Sequence, residues 1–204
     1  MVQLEQNEWC DFWWQEAPQQ NKKRVLLVGD SISRAYRPYV NEKLKGEIYV
    51  DQLSSSRALD NSALLIELDY MLKLNESKYH GIHFNNGLHG MHLSADQYEH
   101  HLEKVIQHII AQIDAEKMIL AFSTPVTITD VPTELDSKLN HIVIDRNKAM
   151  ERLAHKYQLQ INDLYTPMLG KSEYRVNDGY HYNALGDKAL AEIVVSSILK
   201  SMDK

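Results

Sequence analysis

The chain has 204 residues, 44% of them hydrophobic and 25% charged, with a net charge of −6 when its histidines are neutral. These values are typical of one globular domain, long enough to bury about 70% of its unfolded surface. No run of eighteen apolar residues predicts a transmembrane helix. The acidic balance, with no basic block beyond residues 22–24, argues against a nucleic-acid partner or an anionic membrane surface.

The N-terminal residues give a first indication of the compartment. They include acidic residues and lack the basic start and apolar stretch of a secretory signal, although a chain whose signal had been cleaved would look the same. Cys10 is the only cysteine, so no internal disulfide can form and a reducing compartment fits best. We therefore expect a cytoplasmic protein. Cys10 lies beside Trp9, and packing is favoured over a role as nucleophile.

The predicted strands and helices alternate regularly along the chain. Residues 1–22 form an aromatic segment ahead of the domain, and residues 23–204 form the domain itself. Short apolar runs predict five strands, and amphipathic patterns between them predict helices. The predicted strands cover residues 24–28, 47–50, 81–85, 117–123 and 159–162, and the predicted helices cover 31–46, 58–74, 94–113, 137–157 and 183–202. Ser94 and Gln97 predict a capping box, and a loop is expected to run through Pro132. The alternation implies a parallel five-stranded sheet covered on both faces, with ligands at the carboxyl ends of its strands.

The first strand ends in Gly29-Asp30-Ser31, which places Ser31 at the N-terminus of the following helix. Backbone N–H groups and the helix dipole favour negative charge there, so an alkoxide or oxyanion would be stabilised. An ordinary helix-capping serine is the alternative interpretation.

Asp178 and His181 lie in a Gly-containing loop just before the last helix. A serine hydroxyl needs an adjacent base, usually a histidine that a carboxylate orients, and this spacing lets Asp178 fold back onto the imidazole. The alternative is that Asp178 only makes an Asx-turn and His181 only caps the helix.

The GDS motif after the first strand and the DxxH motif before the last helix together resemble those of the GDSL, or SGNH, hydrolase superfamily. The resemblance covers roughly residues 23–202. It implies a flavodoxin-like three-layer α/β/α sandwich with a five-stranded parallel sheet. It also implies a metal-free esterase, lipase, thioesterase or carbohydrate acetylesterase that needs no cofactor, with Ser31, Asp178 and His181 as its catalytic triad.

Two further blocks of the family form the oxyanion hole together with the N–H of the serine, and this chain departs from both. Where the family has a glycine after the second strand, residues 51–57 contain none, and the backbone N–H of Ser56 is the expected donor in its place. Where the family has GxND after the third strand, the sequence is Asn85-Asn86-Gly87-Leu88-His89-Gly90. Either Asn86 or His89 can donate a hydrogen bond, and Asn86 is favoured because an amide donates irrespective of protonation. A plain Asn-Gly turn is the alternative.

Two charged residues are predicted to contact substrate: Asp30, beside the serine, and Arg57, which could bind an acidic group or stabilise the oxyanion. For Arg57, a surface ion pair with Asp60 is an equally good interpretation.

Other kinds of site are less well supported. The ten histidines show no HExxH and no HxxxH with an accompanying carboxylate, so no metal site is predicted. No glycine-rich phosphate loop follows the first strand, which argues against a nucleotide-binding module. The aromatic residues Trp9, Phe12, Trp13 and Trp14 could stack on a sugar, but covering a sheet edge or making a homo-oligomeric contact is favoured.

We therefore expect a serine hydrolase acting through an acyl-enzyme on a small ester, either a short-chain acyl ester or an O-acetylated sugar. The alternative is a catalytically weak protein of the same fold that binds a carbohydrate or acyl ligand.

Overall fold

A computed structural model describes residues 3–73 and 79–202 of the chain. Its eight strands are β1 Cys10–Trp13, β2 Lys23–Gly29, β3 Ile48–Ser55, β4 Gly81–Phe84, β5 Met118–Ala121, β6 Thr127–Ile128, β7 Val131–Leu135 and β8 Gln160–Asn162. Its five α-helices are α1 Ser31–Lys43, α2 Ala63–Lys73, α3 Ala95–Ile110, α4 Ser137–Tyr157 and α5 Ala184–Met202. None of the helices in this described part is long and apolar enough to cross a membrane.

The central sheet lies between two helical layers, as predicted. Its strand order is β1-β3-β2-β4-β5-β8, and every neighbouring pair from β3 to β8 is parallel. Alternate residues of the central strand β2 enter different cores. Leu26 and Val28 pack with residues of α2, α3 and α4, whereas Val25 and Leu27 pack with residues of α1 and α5. A strand buried on both faces reads as a continuous apolar run, which is why β2 was visible in the sequence.

The aromatic segment supplies a sixth strand that was not predicted. β1 pairs antiparallel with β3, with Cys10 opposite Ser55 and Trp13 opposite Gln52. Phe12 packs edge-on against Tyr70 of α2, with ring centroids 4.9 Å apart. The favoured interpretation, a segment that covers a sheet edge, is thus confirmed, but residues 10–13 are part of the sheet and not a separate preceding segment.

Strand β3 is longer than its predicted range of 47–50, because its second half is polar yet buried. Asp51 is fully buried and accepts hydrogen bonds from the Arg24 guanidinium at 2.6 Å and from the Tyr79 hydroxyl at 2.9 Å. Buried polar groups are tolerated when they are paired in this way. The extension carries the strand to Ser55.

The segment after β5 forms a two-stranded hairpin, β6–β7, where a loop was expected. Asp130 adopts a left-handed backbone conformation (φ +63°) at the turn. Pro132 is accommodated because a two-stranded ribbon leaves the outer side of each strand unpaired.

The helix predictions are largely confirmed. Ser94 and Gln97 form both hydrogen bonds of the expected capping box, and α4 spans the predicted range. Helix α2 begins at Ala63, five residues later than predicted, because Ala58 and Asn61 make a turn of their own. The predicted end of that helix, Leu74, lies outside the described residues.

Candidate active site

Ser31 is the first residue of α1 and follows β2 after one intervening residue. That residue, Asp30, is the N-cap: its carboxylate is buried and accepts a hydrogen bond from the Ile32 N–H at 2.9 Å. An N-cap of this kind satisfies one of the otherwise unpaired N–H groups of the first helical turn. The burial of Asp30 argues against its predicted contact with substrate.

Ser31, His181 and Asp178 form one continuous chain of hydrogen bonds. Ser31 Oγ lies 2.7 Å from His181 Nε2, and His181 Nδ1 lies 2.6 Å from Asp178 Oδ2. The carboxylate accepts only if Nδ1 carries the proton, which leaves Nε2 free to accept the proton of the serine hydroxyl. The structure therefore brings together the three residues that the two sequence motifs suggested.

Asp178 also makes the turn that the alternative interpretation proposed for it. Its second oxygen, Oδ1, accepts hydrogen bonds from the backbone N–H groups of Tyr180 and His181, both at 2.9 Å. Partial burial raises the pKa of Asp178, but these hydrogen bonds and the His181 ring outweigh it and hold the pKa below its ordinary value. One oxygen shapes the loop while the other is held against the imidazole.

The loop that carries Asp178 rests on the β6–β7 hairpin. The Thr127 N–H donates to the Gly179 carbonyl at 2.9 Å, and the Asp130 N–H donates to the Asn177 carbonyl at 2.8 Å. Gly179 has φ +87°, and a Cβ atom there would lie 2.5 Å from the Thr127 carbonyl oxygen. Only glycine fits this position without a shift of the backbone.

Arg175, which the sequence analysis missed, supports the same loop from inside. Its guanidinium donates to the Pro125 carbonyl at 2.6 Å and to the Tyr180 carbonyl at 3.3 Å, and it stacks 4.3 Å from the centroid of the Tyr182 ring. Burial lowers its pKa. No motif marks an arginine that binds carbonyls, so the sequence offered no signal for this role.

Ser56 is placed differently from the expectation. Its backbone N–H donates to the Trp9 carbonyl at 3.1 Å, and its hydroxyl accepts from the Trp9 N–H at 2.8 Å. The N–H that was predicted to bind the oxyanion is thus engaged by the aromatic segment. This is a correction, and its cause is that backbone pairing continues one residue beyond Cys10 and Ser55, the last partners of β1 and β3, which no local pattern indicated.

The two alternative donors after β4 have different surroundings. Asn86 is buried, and its side-chain amide donates to the Arg57 carbonyl at 2.8 Å, which leaves the second amide N–H for another acceptor. The His89 ring is about one-fifth exposed, with Nδ1 3.7 Å from Glu5 Oε1 and its ring edge-on to Trp9. The preference for Asn86 over His89 stays a prediction.

Arg57 forms ion pairs with two carboxylates. It contacts Glu67 at 2.9 Å and also Glu8, so the alternative interpretation is right that Arg57 is paired but wrong that its partner is Asp60. With both partners in place its charge is balanced, which argues against the predicted binding of an acidic substrate group by Arg57.

Comparison with known proteins supports the fold. No family model matches the chain, and no curated protein matches it. An acetyl xylan esterase structure superimposes with a TM-score of 0.66 at 20% identity, over 86% of this chain and 99% of that one. A GDSL-like lipase of Bacteroides thetaiotaomicron gives a TM-score of 0.66 at 17% identity, over 88% and 89% of the two chains. The C-terminal catalytic domain of Streptococcus pneumoniae peptidoglycan O-acetyltransferase A gives 0.66 at 18% identity, over 90% and 96%.

The chain has the GDSL-type, or SGNH, hydrolase fold. Within this fold, Ser31 stands at the end of the first parallel strand, and Asp178 and His181 stand ahead of the last helix, as the resemblance implied. No group of three or more His, Cys, Asp or Glu side chains that could hold a metal ion occurs within residues 3–73 and 79–202.

Arg146 of α4 is a second residue that the sequence analysis missed, and it organises the loop where this SGNH fold departs from GxND. Its guanidinium is almost fully buried and donates to the carbonyls of Gly87 at 3.0 Å, His89 at 2.7 Å and Gly90 at 2.6 Å. It also stacks 4.7 Å from the centroid of the Tyr98 ring. Three carbonyls bound by one rigid fork fix the path of this loop.

Proposed function

We propose that the protein is a serine-dependent hydrolase of short-chain carboxylic esters, acting through an acyl-enzyme. The observation that carries the proposal is the 2.7 Å contact between Ser31 Oγ and His181 Nε2, made by a histidine whose other nitrogen is held by Asp178 at 2.6 Å. Nucleophile, base and orienting carboxylate in hydrogen-bonded order are what acyl transfer by serine requires.

In the first step His181 Nε2 takes the hydroxyl proton as Ser31 Oγ bonds to the ester carbonyl carbon. The carbonyl oxygen becomes an oxyanion, and Asp178 stabilises the imidazolium that forms. When the tetrahedral intermediate collapses, the ester C–O bond breaks and the leaving alcohol takes the proton from His181. Water repeats the sequence on the acyl-enzyme with His181 again as base, which releases the acid and restores Ser31.

The oxyanion would be bound by donors at the carboxyl edge of the sheet. Ser31 is the first residue of a 13-residue helix, so its N–H has no partner within the helix and adds to the positive end of the helix dipole. The second amide N–H of Asn86 is the donor we favour beside it, with the His89 ring as the alternative. Ser56 is not among the proposed oxyanion donors because its N–H is bonded to the Trp9 carbonyl.

For the substrate we propose an acetyl or similarly short acyl ester, with an O-acetylated sugar as the preferred case. Two proteins of the same fold support this preference: one is an acetyl xylan esterase and the other a peptidoglycan O-acetyltransferase domain. We expect a small ester to be the substrate, and we expect the reaction to need no cofactor.

The test is hydrolysis of 4-nitrophenyl esters from acetate to octanoate by the wild type, by Ser31→Ala and by the control Ser62→Ala. Ser62 is an exposed serine ahead of α2. We expect the highest kcat/KM on acetate, loss of about 10³-fold or more in Ser31→Ala, and no change in the control. Full activity of Ser31→Ala would overturn the assignment of the nucleophile.

A second candidate, a weakly catalytic protein that binds a carbohydrate or acyl ligand, is favoured by one observation: the Ser56 N–H, the expected substitute for the family glycine, is bonded to the Trp9 carbonyl. Absence of hydrolysis by the wild type across all chain lengths, together with binding of an acetylated xylo-oligosaccharide seen by calorimetry, would support that candidate instead. If the wild type does hydrolyse the esters, turnover of Asn86→Ala and His89→Ala tests the oxyanion donors, since loss of one donor costs about a hundredfold or more.

A further inference from the structure

Arg34 occupies a distinctive position next to the candidate nucleophile. It lies three residues after Ser31 on α1, and its N–H donates to the Asp30 carbonyl at 3.0 Å in the first turn of the helix. Residues three apart share one face of a helix, and long side chains lean towards its N-terminus. The exposed Arg34 side chain therefore extends on the same face as Ser31, towards the end of the helix where the ester would react.

An aromatic platform fixes the Arg34 guanidinium. Its central carbon lies 4.7 Å from the centroid of the Trp9 ring, a typical cation–π geometry. The Trp9 backbone is itself held by two hydrogen bonds to Ser56, one with the Ser56 N–H and one with the Ser56 hydroxyl. The His89 ring stands edge-on to the Trp9 ring, with centroids 6.5 Å apart. A planar guanidinium stacked on a ring keeps its N–H groups at the edge free for a ligand.

The charge of Arg34 is not balanced by the protein. In the described part of the chain no carboxylate forms an ion pair with it, whereas Arg24, Arg57 and Arg152 are each paired with Asp or Glu. Two acidic groups of the aromatic segment that precede Trp9 in sequence are engaged elsewhere: Glu5 accepts from the Gly90 N–H at 2.7 Å, and Glu8 pairs with Arg57.

We propose that Arg34, stacked on Trp9, binds a carboxylate on the alcohol part of the substrate, so that the preferred substrates are O-acylated sugar acids. This inference rests on the proposed ester hydrolysis. A guanidinium recognises a carboxylate through two parallel hydrogen bonds, which would orient the sugar as well as attract it. Because the proposed acyl group is short, the carboxylate belongs to the sugar.

The test compares two matched esters: an O-acetylated methyl glucuronoside and the corresponding uncharged glucuronamide, with acetate release as the readout. For the wild type we expect kcat/KM to be about tenfold higher on the acid than on the amide, a typical gain for one charge-assisted contact. In Arg34→Met this ratio should fall to near one. In Arg34→Lys, which keeps the charge but not the fork, it should take an intermediate value.

Arg37→Met is the matched control. Arg37 lies one turn further along α1 and stacks on Trp13 at 4.4 Å, the same kind of contact further from Ser31. The acid-to-amide ratio should stay at its wild-type value in this variant. The proposal is overturned if the wild type shows no preference for the acid, or if Arg34→Met lowers kcat/KM on both esters equally.

Failure of the proposed hydrolysis is distinguishable from failure of this inference. If the wild type releases no acetate from either ester, binding of the deacetylated methyl glucuronoside is measured by calorimetry with the wild type, Ser31→Ala and Arg34→Met. Binding lost only in Arg34→Met would support the carboxylate site in a protein that is not a hydrolase. Equal binding in all three, or none, would refute it.

Discussion

Asp187, in the first turn of α5, should destabilise the folded protein at neutral and alkaline pH. Its carboxylate is partly buried, and its Oδ1 atom has no hydrogen-bond partner among the described residues. Burial raises its pKa from 3.8 to about 6, although electrostatic interaction with the nearby His181 ring opposes the shift. An isosteric amide has no charge to bury, so Asp187→Asn should increase stability.

The magnitude follows from the shift. A folded-state pKa above the unfolded value means that the folded state binds more protons, so stability falls as the pH rises from about 4 to about 6 and is constant above that. A shift of about 2 pKa units corresponds to about 3 kcal/mol, of which we expect about 2 kcal/mol because part of the carboxylate still meets solvent. At pH 4.5 only about a third of the effect has developed.

The assay is urea unfolding of the wild type and Asp187→Asn, followed by tryptophan fluorescence at pH 8 and at pH 4.5. Glu151→Gln, an exposed carboxylate on α4, is the control and should change the free energy of unfolding by less than about 0.5 kcal/mol at either pH. The reasoning fails if Asp187→Asn is equally stabilising at both pH values, or if it destabilises the protein at pH 8.

Three further substitutions test the supports of the site. Gly179→Ala places a Cβ against the Thr127 carbonyl and should lower kcat about a hundredfold or more; wild-type turnover would show that the loop tolerates the shift. Arg146→Met leaves three carbonyls without their donor and should lower the free energy of unfolding, measured in urea, by about 3 kcal/mol or more. An unchanged urea midpoint would contradict this prediction. Asp178→Asn should lower kcat on 4-nitrophenyl acetate by about 10³–10⁴-fold at pH 7, and a loss below tenfold would contradict its orienting role.

The central part of the site could be predicted because each half of it is local in sequence. Ser31 follows a buried apolar strand, and Asp178 and His181 are three residues apart in a loop before a helix. Neither motif needs a distant contact to be recognised. Their order along a repeated strand–helix pattern then places both at the carboxyl edge of one sheet.

The second half of β3 could not be predicted because its stability depends on distant partners. The local sequence around Asp51 indicates a loop. In the structure Asp51 is buried and bonded to Arg24 and Tyr79, which are 27 and 28 residues away. The pairing of Trp9 with Ser56 is a similar case, with the partners 47 residues apart in sequence. Strand propensity depends on such context more than helix propensity does.

Long-range contacts also explain how the chain can depart from the family pattern on the oxyanion side. If Gly87 is aligned with the glycine of GxND, Gly90 takes the place of the aspartate. The Gly90 N–H donates to Glu5 at 2.7 Å, and its carbonyl accepts from Arg146 at 2.6 Å. A Cβ at Gly90, whose φ is +68°, would lie 2.7 Å from the Ala58 side chain, so this loop packs directly on the loop after β3. Contacts from the aromatic segment and from α4 thus fix the loop around Gly90, which in the family is fixed by a local motif. Residues 5–9 therefore support the loops beside the candidate site, and removing them should lower turnover as well as stability.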